Sequence, residues 1–83
     1  MKIIYTKHAE DKLKRSDIRK FNIKKKTIEN TLKQPRSRTK TKYHDFAAVA
    51  ELDKLHDLRI IYVIIETGIK IITFHIARKG RYL

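Results

Sequence analysis

Cysteine is missing from this chain, glycine occurs twice and proline once, and only nine acidic residues stand against twenty-one Lys and Arg. Without cysteine no disulfide can brace the fold, and a reducing compartment suits such a composition. Gly68 and Gly80 alone cannot build a glycine-rich phosphate cradle. The four histidines have no cysteine beside them and no His-x-x-x-His spacing, so the pattern points to no metal site and no cofactor. No Ser or Cys nucleophile signature is present. The longest unbroken apolar run, residues 60–65, is far shorter than the roughly 20 residues a membrane helix needs. The opening Met1 to Tyr5 leads into charged sequence rather than a signal-peptide core. The expectation is a soluble, cytoplasmic protein with no membrane partner.

Eighty-three residues suit one domain spanning 1–83. A chain this short buries only about 60% of its unfolded surface. Stability must therefore come from one compact core or from a partner chain.

The net charge of +12 is unevenly placed. Residues 1–44 hold fifteen Lys and Arg against four Asp and Glu, whereas residues 45–83 hold six against five. Such asymmetry points to a polyanion, with nucleic acid the first choice. A basic face that is merely solvated is the competing reading, and an acidic protein partner is compatible with either.

The apolar content gathers in the last third. Residues 58–65 and 69–77 are rich in Ile and Val, which lose rotamer freedom in helices and pack well on a pleated sheet. Thr67-Gly68 lies between them, and Gly68 can supply the conformation a tight connection needs, so the pair reads as a β-hairpin. It runs into a basic, aromatic-ended tail, Arg78-Lys79-Gly80-Arg81-Tyr82-Leu83. In the first segment Arg59, Ile61, Val63 and Ile65 alternate with Leu58, Ile60, Tyr62 and Ile64. Both sets are apolar, and strands apolar on both faces need both covered. A homodimer contact, a partner segment or the C-terminal tail is expected to close the second face.

Upstream, residues 2–5 read as a short strand and Thr6 as the N-cap of a helix from Lys7 to about Arg15 or Lys20, with Ser16-Asp17 a point of interruption. Asn22 is the expected N-cap of a second helix, 23–33, with Ile28 and Leu32 inward and Lys24, Lys25 and Lys26 outward. Pro35 ends it. In residues 36–43 the cations Arg36, Arg38, Lys40 and Lys42 fall on even positions, the strand period. An extended ribbon there would set four cations on one side, to track a phosphate backbone or to keep an edge strand soluble; a loop is the third reading. Residues 46–52 read as another strand. The expected fold is α+β, β-α-α-β-β-β with one further strand optional: two helices on one antiparallel four- to five-stranded sheet.

Three stretches carry a family resemblance: Tyr5-Thr6-Lys7-His8-Ala9 at the first helix start, Leu58-Arg59-Ile60-Ile61-Tyr62 in the hairpin, and the run from Phe74 through His75 and Arg78 to Tyr82. Together with the element order, they make the chain resemble the RelE/ParE/BrnT toxin superfamily, and within it a small uncharacterised family with a Thr-Lys-His-Ala start. The resemblance implies a RelE/ParE-like fold and a toxin of a type II toxin–antitoxin system, paired with an acidic antitoxin. In the RelE branch it implies mRNA cleavage on the ribosome; in the ParE branch, inhibition of DNA gyrase. Matched by position, it assigns functional roles to Arg59, Arg78 and Tyr82. The chain departs from many relatives by placing Ile76-Ala77 between His75 and Arg78, and by a longer connection around residues 20–24.

Metal-independent RNA cleavage needs a base for the 2′-hydroxyl, an acid for the leaving oxygen and cations for the crowded phosphorus. The candidate set is Arg59 and Arg78 on the phosphate, Tyr82 for stacking or proton donation, and His75 or His8 for proton transfer. Lys24, Lys25, Lys26, Arg36, Arg38, Lys40, Lys42, Lys79 and Arg81 are the candidate nucleic-acid contacts. Each of His8, His75 and Tyr82 also has a purely structural reading. Two functions stay open: a ribosome-associated endoribonuclease, or a non-catalytic nucleic-acid- or protein-binding module on the same fold.

Overall fold

The structure, a computed structural model, describes residues 2–79. Five strands, β1 (Lys2–Tyr5), β2 (Ser37–Lys40), β3 (Phe46–Glu51), β4 (His56–Ile65) and β5 (Gly68–Arg78), form one sheet in the order β1-β5-β4-β3-β2. Three helices, α1 (Lys7–Leu13), α2 (Ser16–Arg19) and α3 (Lys25–Lys33), lie between β1 and β2 in sequence. The class is α+β, with two corrections. The described residues form three helices rather than two, because the chain breaks at Lys14-Arg15 and restarts as a helix at Ser16. The sheet is mixed rather than antiparallel: β1 runs parallel to β5, with Lys2 opposite Gly68 and Tyr5 opposite Ile71. Four alternating residues carry no signal of strand direction; the helical connection that follows β1 sets it.

Local chemistry explains the helix bounds. Thr6 caps α1 as expected, its hydroxyl accepting from the Ala9 N–H at 3.1 Å. Arg15 then turns extended, and its guanidinium holds the Asp17 carboxylate at 3.1 and 2.7 Å across the break. Asn22 is not the N-cap of the next helix. It adopts φ 57°, a left-handed conformation that asparagine tolerates, and closes the turn after α2 through its N–H to the Arg19 carbonyl. The cap of α3 is Lys24, whose N–H donates to Thr27 Oγ1 at 3.1 Å.

Leu58, Ile60, Tyr62, Ile71, Phe74 and Ala48 face the helices and pack on Ala9, Ile18, Ile23, Ile28 and Leu32. Burying each large apolar side chain contributes roughly 1.5–3 kcal/mol. The other face is not left bare. Ala47, Val49 and Ile61 are buried within the single chain, and Asp57 is 0% exposed. That part of the sheet is buried in the single chain; the tail from Gly80 onward, one of the expected covers, lies outside the described residues. Asp57 is held by Arg36 in a two-pronged ion pair at 3.1 and 2.9 Å. A buried carboxylate is tolerated only with such partners.

The long hairpin pairs Ile65 with Gly68, so its turn is Glu66-Thr67 and not Thr67-Gly68. Glycine is required one position later, for two reasons. Gly68 takes φ 155°, and a Cβ there would lie 1.9 Å from the Lys2 carbonyl oxygen of the adjoining β1. Gly68→Ala is therefore expected to destabilise the protein by about 2 kcal/mol or more, through displacement of β1. Urea unfolding monitored by circular dichroism reads this as a lowered midpoint.

Candidate nucleic-acid interface

The four residues of β1 cover only the first part of the eleven-residue β5. Beyond Ile71 the place of a neighbouring strand is taken by the start of α1. Thr6 donates its N–H to the Ile71 carbonyl at 3.0 Å and its hydroxyl to the Ile72 carbonyl at 2.8 Å. Lys12, one turn and more along α1, donates its ammonium to the Phe74 carbonyl. The same Nζ lies 3.5 Å from Nδ1 of His75 and 5.4 Å from the centre of the Phe74 ring. By strand alternation, the main-chain groups of Ile76 and Arg78 turn the same way as those of Phe74, out of the sheet.

Past Lys12 a cleft of about 750 Å³ opens between α1–α2 and β5, lined by Lys12, Arg15, Lys20, His56, His75 and Arg78 among others. Its carboxylate, Asp17, is paired with Arg15. His56 is held at 2.9 Å by Asp53 and packs edge-on against Phe21, with ring centres 4.9 Å apart. The cleft thus gathers positive charge beside a stretch of β5 that has no neighbouring strand.

His75 stands where this cleft meets the second face of the sheet. Its cross-strand partner is Arg59. Partial burial holds its pKa below the ordinary histidine value, and the charges of Lys12, Arg59 and His8 push the same way. The imidazole is accordingly neutral at physiological pH, a proton acceptor among cations. Lys12 is itself pushed down, first by burial and then by Arg15. On the same face the buried hydroxyl of Thr73 has no hydrogen-bond partner.

Of the candidate catalytic residues, the structure brings together Arg59, His75 and His8. Arg78 pairs with His56, three positions along from the Arg59–His75 pair, so strand alternation aims it at the opposite face from Arg59. It lies on the helix side, where it borders the cleft directly. Arg59 and Arg78 do not form one double-guanidinium patch. Tyr82 lies outside the described residues, as does Arg81.

The candidate binding cations are not one ribbon. Arg36 is tied to Asp57, and Arg38 donates to the Leu32 carbonyl. Lys25 bonds Glu10 at 2.8 Å and lies 4.8 Å from the centre of the Tyr5 ring; Lys79 pairs with Glu51. Lys40 is exposed on β2, and Lys42 rests over the ring of Tyr43 in the loop beyond it. Lys24 and Lys26 border a separate polar hollow with Asn30 and Gln34. Sequence reasoning missed Lys12, Arg15 and Lys20. The available signal was the i,i+4 spacing of His8 and Lys12, which puts both on one helix face.

Among the described residues no group of three or more His, Asp or Glu is placed to hold a metal ion, and no helix is long and apolar enough to cross a membrane. Comparison with protein-family models, with curated proteins and with solved structures gives no match.

The environment of His75 has a consequence for stability. Its pKa is lower folded than unfolded, so on acidification the unfolded chain takes up the proton first, near pH 6.5. The histidine term is fully favourable above about pH 6.5, is lost progressively below it, and levels off below the depressed folded value. His75→Gln should reduce the acid-side loss of unfolding free energy between pH 7.5 and pH 5 relative to the native chain. Urea titrations at the two pH values measure the difference.

Proposed function

We propose that this protein is a toxin-like RNA-binding protein of the RelE/ParE/BrnT kind, and that it cleaves RNA without a metal at the His75–Arg59 face. One observation carries the reading: a histidine sits opposite an arginine and beside Lys12, at the mouth of a cationic cleft. In the proposed reaction the His75 imidazole takes the proton of the 2′-hydroxyl, which attacks the adjacent phosphorus. The negative charge that builds on the phosphate oxygens is met by Arg59 and Lys12, fixed before the substrate arrives. His8, on the first turn of α1, supplies the proton for the departing 5′-oxygen. Lys20 and Arg78 hold the neighbouring backbone phosphates. Loops and bulges of single-stranded RNA suit an open sheet edge better than a duplex does. RNA on the ribosome is the proposed physiological target, and an acidic antitoxin the proposed partner of the cationic surface.

A second reading has its own support. Lys12 is anchored on the Phe74 carbonyl as well as near His75, as expected if the imidazole only packs the β5 edge. A non-catalytic binding module would then use the same charges.

RNA incubated with the protein, alone in the presence of a chelator and with ribosomes in their magnesium buffer, separates the two. The nuclease reading expects cleavage, reduced about 100-fold or more in His75→Ala, the usual contribution of a general base. It also expects growth arrest on expression that Arg59→Ala relieves. No cleavage in either mixture by a folded protein rejects it. Binding whose logarithmic affinity falls linearly with the logarithm of salt, without turnover, supports the module.

A further inference from the structure

An exposed apolar surface lies at the opposite end of β4 and β5 from the cationic cleft. The β4–β5 hairpin runs on past the helices, leaving Ile64 67% exposed. Beside it a groove of about 540 Å³ lies between the hairpin, β1 and the end of α3. Leu32, Tyr62, Ile69, Ile3 and Ile64 supply its apolar lining. An exposed isoleucine beside an apolar hollow is more than the scattered surface hydrophobics of an ordinary monomer.

The rim decides what fits. Four charged residues border the groove: Glu29, Glu66, Lys33 and Arg38. Two are acidic and two basic, in a chain whose net charge is +12. Glu29 is fixed by the Tyr5 hydroxyl at 2.8 Å, and Arg38 by its bond to the Leu32 carbonyl. A strongly acidic partner gains nothing from this balanced rim and is drawn to the β5 cleft. Two copies of the chain repel each other wherever cationic surfaces meet, and least here. Mixed charges around an apolar centre are also self-complementary under a two-fold axis, where each carboxylate of one copy can meet a cation of the other. Each copy supplies both a protruding Ile64 and a hollow.

We propose that this groove is the interface of a two-fold homodimer, with Ile64 as its anchor. The contact joins the hairpin ends and leaves the clefts along β5 open on both copies. It is independent of any RNA chemistry. Raising salt screens the repulsion between two chains of net charge +12, which outweighs the weakening of a few exposed rim pairs, and leaves apolar burial intact, so the dimer tightens with salt.

Sedimentation equilibrium on the full chain, from about 10 μM to about 1 mM at low and high salt, tests this. The expected result is a monomer–dimer equilibrium that shifts toward dimer as salt rises. Ile64→Lys should raise the dimer dissociation constant about thirtyfold or more, the loss of one central anchor. Because Ile64 is exposed in the single chain, the variant keeps its circular dichroism spectrum and its thermal midpoint at dilute concentration. Glu66→Lys should weaken the dimer as well, by adding like charge at the rim. A native chain that stays monomeric throughout, or a dimer indifferent to both substitutions, overturns the proposal. Either result leaves the groove to an apolar segment of another protein.

Discussion

The register of β4 on β5 is the constraint from which the rest follows. Ten paired positions lock two long apolar strands together, with one irregularity at Ile61/Tyr62. A one-residue slip of β5 would carry Ile71 and Phe74 from the helix side to the other face and open the core. The same register sets Arg59 opposite His75 and His56 opposite Arg78, so the packing that stabilises the domain also fixes the chemistry along its edge. The short β1 completes the arrangement. It pairs with β5 for four residues and then yields the edge to α1, which puts Lys12 and His8 beside His75.

Charge is divided between structure and surface. Arg36 on Asp57, Arg38 on the Leu32 carbonyl, Lys25 on Glu10 and Lys79 on Glu51 fasten loops and edges to the sheet. Exposed pairs of this kind are individually weak. The Arg36–Asp57 pair differs, because its carboxylate is fully buried and a lost partner would leave a charge in the interior. In the β5 cleft Lys12, Arg15 and His56 are likewise held, by the Phe74 carbonyl, Asp17 and Asp53, and Lys20 lies over the Phe21 ring, yet with Arg78 they gather positive charge around one cleft. Asymmetry of charge along the chain thus became asymmetry in space only in part.

Much of the fold was legible in the sequence. The β-branched segments marked β4 and β5, Thr6 marked the start of α1, and the alternation of residues 58–65 predicted which side chains share a face. What stayed hidden was tertiary. The direction of β1 is set by the helices that follow it, not by its own four residues. Asn22 and Lys24 exchanged roles because asparagine suits a left-handed turn as well as a cap. The even spacing of Arg36, Arg38, Lys40 and Lys42 gave the strand period but not what the arginines bind. In the candidate site, His75 and Arg59 were visible as residue types, and their pairing came from the register. Lys12 escaped because a helical lysine looks like solvated surface until a short β1 leaves the edge open beneath it.

The central claim is that RNA meets this protein where Arg59, His75 and Lys12 converge. Nuclear magnetic resonance of the isotope-labelled protein, titrated with a short single-stranded RNA, tests it most directly. The account predicts that shift changes gather at His75, Arg59, Lys12, Lys20 and Arg78, with the histidine ring resonances among the largest. Changes confined to the lysines of α3 or to the loop around Tyr43, with the His75 ring unmoved, would contradict it.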